Sequence, residues 1–349
     1  MYYDLLVVGA GPAGSTVAQI VAKNNYKVLF IDKKSVIGEP VQCAEYVPAL
    51  LSKEINIPAE CIANSIKTLT IYPPADKKVF QFSAPGYILN RVLFDKWLAI
   101  NAIKNGAELW LDTEFKRLVD GYVIMHKKNS TLKIKAKIIV GADGPSSSVN
   151  KVINKGYEGY VIAYQKEYPL VNPSDSTEVY FDSKLFGGYA WFFPKRHSAN
   201  IGLGIRLTRG CGIRLKELLE SFVKKLIRQK KIYSSPVSRT TGLIPVAGPV
   251  KSVKGNILLV GDACGQTHPI TGAGITQAII CGKIAAQAII RALKNKNLDE
   301  LNHYESNWHK LYYNELKRAV KRRKLMESKW NELGKILKRC WVSFPEYYE

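Results

Sequence analysis

At the start of the chain a hydrophobic run is followed by a glycine turn, by apolar residues at helical spacing and by a second hydrophobic run. Residues 4–8 predict a short buried strand, and the G-x-G-x-x-G spacing of residues 9–14 follows it directly. Apolar positions then recur at helical spacing through Ala22, and a second apolar run, 27–31, ends at Asp32. Strand, glycine turn, helix, strand and acid in this order are typical of a dinucleotide-binding unit.

The glycines of this turn have separate physical roles. Gly9 permits the tight turn, Gly11 lets the backbone approach a pyrophosphate, and Gly14 lets the helix pack on the strand. The helix N-terminus directs free N–H groups and a partial positive charge at phosphates. We expect Asp32 to accept hydrogen bonds from a ribose diol; the alternative is a glycine turn in another α/β fold.

Two later segments repeat the pattern of a strand that runs into a glycine turn. The first ends in G-A-D-G at 141–144; the second ends in G-D-A at 261–263, followed by P-x-x-G-x-G and a helix from Ile275. An acid directly after a strand can accept a hydrogen bond from a ribityl hydroxyl. A helix that opens at 272–274 directs N–H groups at the electron-rich edge of an isoalloxazine. A nicotinamide site needs neither, so the three segments together predict FAD.

The middle of the chain favours a sheet. Short apolar runs punctuated by turns fill residues 159–206, and Tyr189, Trp191 and Phe193 alternate, so they share one face. Residues 215–227 predict an amphipathic helix. We therefore predict an α/β protein: a Rossmann-type FAD-binding domain interleaved with an antiparallel-sheet substrate domain, plus a C-terminal helical segment. The predicted boundaries are 1–150 and 237–295 for the FAD-binding domain (with an insertion at 40–88), 151–236 for the substrate domain and 296–349 for a basic helical segment.

Composition restricts the class and the compartment. The chain has 349 residues, of which 46% are hydrophobic, and its six cysteines and five histidines show no metal-ligand spacing. We therefore predict no metal site. Because the first residues already predict a core strand, we expect no secretory leader. The apolar run 275–293 is interrupted by Lys283, which favours a buried helix over a membrane span. We expect a cytoplasmic protein.

The net charge of +22 is concentrated near the C-terminus. Met326, Trp330, Leu333 and Leu337 recur there at helical spacing among many lysines and arginines, which predicts a basic amphipathic helix. Such a helix can lie on an anionic membrane, bind nucleic acid, or pack on its own domain with a solvated basic face. Nucleic acid is the least favoured of these because no aromatic residues interleave to stack bases.

The motifs, taken in order, resemble those of the FAD enzymes of the aromatic-hydroxylase fold group over residues 1–290. Within this group, P-V-Q-C-A-E at 40–45 is similar to the P-x-x-C-[AG]-E of the geranylgeranyl reductases. Y-A-W-F-F-P-K at 189–195 matches their Y-x-W-x-F-P-K. The helix that begins near Arg91 resembles the group's arginine-bearing helix. Tyr46 departs from the glycine common in the family, and we expect a reshaped loop because tyrosine disfavours positive φ.

The resemblance implies the cofactor, the reaction and the partners. A reduced FAD would pass a hydride to an isoprenoid carbon–carbon double bond of a lipid substrate. The electron donor would be reduced ferredoxin or NADPH, and the enzyme would work peripherally on a membrane. The residues that the resemblance places against FAD are Gly9, Gly11, Ala13, Gly14, Asp32, Cys43, Ala44, Tyr46, Arg91, Phe115, Asp262, Gly274 and Ile275.

The candidate catalytic residues are Cys43, Tyr189 and Trp191, and each has a simpler alternative. Cys43 can protonate the substrate or form a transient adduct, or it can be a small buried hydrophobic residue. Tyr189 and Trp191 can line a substrate tunnel or pack a core. Lys195 can pair with a substrate phosphate or solvate a hairpin tip. The alternative function is a flavin monooxygenase, but those enzymes carry an arginine shortly after the Asp-Gly of the middle motif, where this chain continues to Asn150.

Overall fold

The computed structural model describes residues 1–74, 78–208 and 211–349. In chain order the strands are β1 (Tyr2–Val8), β2 (Val28–Ile31), β3 (Tyr46–Pro48), β4 (Ile62–Tyr72), β5 (Phe80–Leu89), β6 (Glu108–Trp110), β7 (Thr113–Val119), β8 (Tyr122–Lys127), β9 (Ser130–Gly141), β10 (Tyr160–Pro169), β11 (Ser176–Tyr180), β12 (Ala190–Pro194), β13 (Ser198–Arg206), β14 (Ser238–Pro245), β15 (Val253–Lys254) and β16 (Ile257–Leu259). The α-helices are α1 (Pro12–Lys23), α2 (Leu51–Glu54), α3 (Arg91–Lys104), α4 (Ser148–Asn154), α5 (Cys211–Arg228), α6 (Ile275–Asn295), α7 (Asn302–Trp308), α8 (Asn314–Ser328) and α9 (Leu333–Cys340).

The chain divides into two compact units of interleaved segments. Unit 1 contains Met1–Glu39, Val92–Glu158 and Ala247–Lys317. Unit 2 contains Pro40–Arg91, Gly159–Val246 and Arg318–Glu349.

This division differs from the predicted boundaries at four places. Unit 1 continues to Glu158 instead of residue 150, and it resumes at Ala247 instead of residue 237, because β14 pairs with β10 in unit 2. Residues 40–88, predicted as an insertion in the FAD-binding domain, belong to unit 2 because β4 pairs in parallel with β11. The segment 296–349 is shared, since unit 1 ends at Lys317.

The sheet of unit 1 confirms the Rossmann-type prediction. Its parallel strands follow the order β16-β9-β1-β2-β6, with β15 antiparallel at the edge. Strands β7 and β8 extend the sheet antiparallel from β9. The middle strand β1 contributes Leu5, Leu6 and Val7, each 0% exposed, because both faces of a parallel sheet are covered.

Helix α6 is long and apolar enough to cross a membrane by length and composition, the criterion applied to the described residues. Its Ala285, Ala286 and Ile289 are nevertheless completely buried in the core of unit 1. The core helices of globular domains meet the same criterion. The prediction of a buried helix for 275–293 is therefore confirmed.

The sheet of unit 2 is larger than predicted. Its order is β14-β10-β13-β12-β11-β4-β5-β3, and its pairings are antiparallel except for that between β11 and β4. The predicted strands of 159–206 are confirmed as β10 to β13, and the helix predicted at 215–227 lies within α5. The strands β3, β4 and β5, which extend the sheet, were not predicted.

The apolar side of the C-terminal segment is covered by the protein itself. Met326, Trp330, Leu333 and Leu337 are all buried. The Trp330 indole N–H donates to the Ser183 carbonyl oxygen at 2.7 Å. The prediction of one continuous helix is wrong, because α8 ends at Ser328 and a 3-10 turn, 330–332, separates it from α9. The apolar residues of both helices and of the turn are packed inside the protein, as in the third alternative.

Candidate functional site

The glycine turn of unit 1 has one position that the fold itself does not require to be glycine. Gly9 has φ +101°, and a Cβ there would collide with the Ala142 carbonyl; a Cβ at Gly14 would collide with the Gly9 carbonyl. A Cβ at Gly11 would meet no atom within 4 Å, and its φ is an ordinary −76°. Open space at Gly11 fits a ligand that approaches the backbone, as a pyrophosphate does.

The N-terminus of α1 and the end of β2 offer donors and acceptors to the same turn. Gly11 is the N-cap and has no side chain to satisfy the first-turn N–H groups, which lack partners within the helix. Asp32 is half-buried and oriented by two backbone amides, those of Ala10 to Oδ2 and Lys34 to Oδ1, both at 2.9 Å. An ionised carboxylate has further lone pairs, so Asp32 can still accept from a diol.

The three motifs that predicted FAD lie together in unit 1. The Gly9 turn contacts Ala142 of the second motif, as described above. A Cβ at Gly261 of the third motif would lie 3.3 Å from Ala13 Cβ in α1. A Cβ at Gly274 would lie 3.2 Å from Asp262 Oδ1, and Ile275 begins α6 directly after it. The residues present therefore fit an FAD nucleotide.

The acids at the ends of the two later strands have different surroundings. The Asp143 carboxylate accepts the Ser147 hydroxyl and, at 2.6 Å, the Ser148 amide, so it caps α4. Asp262 accepts the Thr267 hydroxyl and lies beside Gly274. Of the two acids, Asp262 is the better placed for a ribityl hydroxyl.

Two buried residues that the sequence did not point to support the third turn. The Gly261 amide donates to Gln266 Oε1 at 2.7 Å, and Gln266 Nε2 donates to the Tyr304 hydroxyl at 2.9 Å. Tyr304 donates in turn to the Leu259 carbonyl at 2.8 Å. No local pattern indicates this pairing, because Tyr304 lies on α7, far along the chain.

His268 and Phe115 have mainly structural surroundings. The Thr271 amide donates to His268 Nδ1 at 3.2 Å, so Nε2 carries the proton and faces Glu315 Oε1 at 3.5 Å. This agrees with a structural histidine. Phe115 is 2% exposed in the core of unit 1, where the β7–β8 register shifts between Phe115 and Arg117.

The Cys43 loop lies in unit 2. The Glu45 amide donates to Cys43 Sγ at 3.2 Å, and the Arg91 guanidinium lies beside the thiol. Burial raises the pKa of the half-buried Cys43 thiol above its ordinary value, and the Arg91 cation offsets only part of this rise. The thiol is therefore protonated at neutral pH.

Tyr46 does not carry the left-handed backbone of this loop. The positive φ falls at Glu45, at +74°, and Tyr46 begins β3, where it pairs with Ile88. The Tyr46 hydroxyl donates to the Ala84 carbonyl at 3.1 Å, and its ring lies 6.1 Å from that of Phe193. Burial raises the pKa of Tyr46 to about 12.

The aromatic face predicted from the alternation exists and reaches the Cys43 loop. Ring centroids lie 6.1 Å apart for Tyr189 and Trp191, and 5.2 Å apart for Tyr189 and Trp341. The Trp191 indole donates to Gln165 Oε1 at 2.9 Å, and Gln165 Nε2 donates to the Cys43 carbonyl at 3.1 Å. Burial raises the pKa of Tyr189, and Arg323 opposes this rise. The three candidate catalytic residues therefore lie in one neighbourhood of unit 2.

Lys195 does not lie solvated at the hairpin tip, the simpler of the two surroundings predicted for it. It is 19% exposed, and its Nζ lies 2.6 Å from Glu45 Oε2 and 3.3 Å from Glu167 Oε2. The lysine of the second family motif is thus paired with the glutamate of the first.

Comparisons with known proteins agree with this geometry. Residues 160–243 match the geranylgeranyl reductase catalytic domain, residues 7–75 an NAD(P)-binding Rossmann-like domain, and residues 213–329 the lycopene cyclase protein family. A digeranylgeranylglycerophospholipid reductase of Methanocaldococcus jannaschii is 36% identical over 342 residues, covering 93% of this chain and 87% of the relative. The chain belongs to the digeranylgeranylglycerophospholipid reductase family.

Solved structures agree with membership of this reductase family. A geranylgeranyl bacteriochlorophyll reductase-like protein from Thermoplasma acidophilum matches with a TM-score of 0.85 at 29% identity, covering 100% of this chain and 94% of that one. A probable FAD-dependent monooxygenase from Pseudomonas aeruginosa shares the fold with a TM-score of 0.73 at 18% identity, covering 97% of this chain and 100% of that one. The predictions of fold class, of FAD and of an oxidoreductase of the geranylgeranyl reductase type are confirmed.

Proposed function

We propose that this protein saturates carbon–carbon double bonds in the geranylgeranyl chains of membrane glycerophospholipids. The observation that supports this most directly is the neighbourhood of Cys43, Tyr189 and Trp191, where a protonated thiol adjoins an aromatic wall. An isoprenoid alkene has no polar group to hold, so an enzyme must position it by apolar contacts and supply a proton.

The cofactor would be held mainly by residues of the glycine turns of unit 1. When bound and reduced, FAD supplies the hydride. Gly11 and the N-terminus of α1 would bind the pyrophosphate, Asp32 the ribose, and Asp262 the ribityl chain. Gly9, Ala13 and Gly14 shape the turn, Gly274 and Ile275 would direct amides at the isoalloxazine, and Phe115 would contribute its backbone near the adenine. The resemblance to the family also assigns Cys43, Ala44, Tyr46 and Arg91 of unit 2 to the binding of FAD.

Cys43 supplies the proton. As a hydride adds to one alkene carbon, the Cys43 thiol gives its proton to the other carbon, and the resulting thiolate is reprotonated from water after the saturated chain has left. The Arg91 guanidinium beside the sulfur stabilises the thiolate in the interval. Tyr189 and Trp191 hold the isoprenoid chain and exclude water. Overall, one carbon–carbon double bond gains two electrons and two protons and becomes a single bond.

The enzyme meets its substrate at the cytoplasmic surface of a membrane. Exposed lysines of the C-terminal segment, Lys321 and Lys324 among them, attract anionic headgroups. The electron donor is reduced ferredoxin or NADPH, and one experiment distinguishes them: the anaerobic rate at which each donor reduces the flavin of the oxidised, flavin-loaded enzyme.

The test is anaerobic incubation of the flavin-loaded, full-length protein with a geranylgeranylated glycerophospholipid and dithionite, followed by mass spectrometry of the lipid. We expect products heavier by successive pairs of hydrogens, and none with Gly11→Ala protein that lacks FAD. An unchanged lipid with fully flavin-loaded protein would overturn the proposal. Oxygen-dependent hydroxylation of an aromatic compound would instead support the monooxygenase.

A further inference from the structure

Glu45 carries a buried carboxylate that the proposed chemistry does not use. Its side chain is 2% exposed, and both of its oxygens are engaged. The Arg91 amide donates to Oε1 at 3.0 Å. Asn200 Nδ2 donates to Oε2 at 2.7 Å, and Lys195 Nζ lies 2.6 Å from the same oxygen. A buried charge persists in a protein only when it is paired and hydrogen-bonded in this way.

The backbone of Glu45 is engaged as completely as its side chain. Its carbonyl accepts the Leu89 amide at 2.9 Å, and its own amide donates to Cys43 Sγ at 3.2 Å. Asn200 Nδ2 also approaches the Ala44 carbonyl at 3.3 Å. The left-handed φ of +74° at Glu45, which non-glycine residues disfavour, is thus held from both sides.

Lys195 is fixed in turn by a second carboxylate. Glu167 Oε2 lies 3.3 Å from Lys195 Nζ, and the Ser198 hydroxyl donates to Glu167 Oε1 at 2.5 Å. Burial by itself lowers the pKa of Lys195, but the carboxylates of Glu45 and Glu167 outweigh burial and raise it. The lysine therefore stays charged throughout the neutral range.

We propose that Glu45 and Lys195 are positioning residues: their buried ion pair, with Asn200, holds the left-handed turn that directs the Cys43 thiol. This proposal rests on the proposed function in one respect: the role of the positioned Cys43 thiol as proton donor. The lysine that the second family motif carries is thereby assigned to the loop of the first motif, not to a substrate phosphate.

The test is the alkylation of Cys43 by iodoacetamide in the full-length, flavin-loaded protein, followed over a range of pH by peptide-resolved mass spectrometry. The charged or titratable groups that face the thiol are Arg91, Glu45 and Tyr189. Lys195→Met leaves the Glu45 carboxylate buried without its cation, which opens the loop. We expect the limiting alkylation rate at high pH to rise at least about tenfold.

The same variant is expected to lose about a hundredfold in kcat for lipid reduction with little change in KM, because a small displacement of a reacting group has effects of that size. The double variant Glu45→Gln with Lys195→Met removes the fully buried carboxylate together with its cation, and only the more exposed Glu167 carboxylate loses a partner. We expect its alkylation rate to return to within about threefold of the parent, a non-additive result typical of directly coupled residues.

A second buried ion pair of unit 2 provides the matched control. Lys231 Nζ lies 2.7 and 2.5 Å from the oxygens of Glu178 on β11, which is 8% exposed. Lys231→Met should lower the thermal stability and leave Cys43 alkylation unchanged. Equal effects of Lys195→Met and Lys231→Met, or simultaneous alkylation of the buried Cys61, would show general loosening and overturn the proposal. A separate measurement tests the proposed function. If the Cys43→Ser variant reduces lipid normally, Cys43 is not the proton donor, but the alkylation results still decide whether the ion pair positions the Cys43 thiol.

Discussion

The side-chain amide of Gln165 donates a hydrogen bond of 3.1 Å to the carbonyl oxygen of Cys43. The other end of the same side chain accepts the Trp191 indole N–H at 2.9 Å. Gln165 lies on β10 and belongs to neither family motif, yet it joins the loop of one motif to the aromatic face of the other. One buried side-chain amide therefore bonds both to the loop of the proposed proton donor and to the proposed substrate wall.

We expect Gln165→Met to leave a buried carbonyl and a buried indole N–H without partners. The free energy of unfolding should fall by about 1–3 kcal/mol, and kcat should fall with it. Urea unfolding and lipid reduction are the measurements. Gln81→Met, an exposed position on β5, is the control and should stay within about 0.5 kcal/mol of the parent. Equal stabilities of the two variants would contradict the argument.

Replacing glycine with alanine should have different effects at Gly11 and at Gly14. Gly11→Ala adds a methyl group to open space, so the flavin-free protein should unfold like the parent while the Kd for FAD rises at least about tenfold. Gly14→Ala places its methyl group against the Gly9 carbonyl, so the flavin-free protein itself should lose stability. Thermal unfolding without FAD and flavin titration separate the two effects. A destabilised Gly11→Ala protein with parental FAD affinity would refute this assignment.

The parts of the site that the sequence predicted are those encoded by contiguous residues. The three glycine turns, Asp32 and the alternation of Tyr189 and Trp191 are local patterns, and local patterns determine strand ends and faces. No local pattern indicated Gln165, Asn200 or Tyr304. The side chain of each makes its hydrogen bonds to residues that are distant in the sequence. The parallel pairing of β4 with β11 was missed for the same reason: its register joins Thr68 to Ser176.

The pH dependence of lipid reduction should follow the Cys43 thiol. The reactive form is protonated, and burial raises its pKa, so kcat should be level through neutral pH and fall only above about pH 8.5, the ordinary thiol value. The Arg91 cation lowers the thiol pKa, so Arg91→Gln should move this alkaline fall to higher pH. A pH profile of kcat in each protein is the measurement. A fall that begins below pH 7, or one retained in Cys43→Ser, would assign the titration to another group.

Membrane binding should be electrostatic, because the apolar side of the C-terminal segment is already buried. Met326 and Trp330 are 2% and 6% exposed, which leaves them no surface to insert between lipids. Binding to vesicles that contain anionic lipid should therefore be lost in 1 M salt, where the Debye length is only about 3 Å.

The exposed lysines of α8 make this expectation specific. Replacing Lys321 and Lys324 with glutamine should weaken binding to anionic vesicles by about 2 kcal/mol, or roughly thirtyfold, at about 1 kcal/mol for each cation. Vesicle sedimentation at low and high salt is the measurement, and neutral vesicles are the control. Because both lysines are exposed, thermal stability should not change. Binding that survives 1 M salt would instead require an apolar surface elsewhere, for which the exposed Leu93, Ile100 and Ile103 of α3 are the first residues to replace.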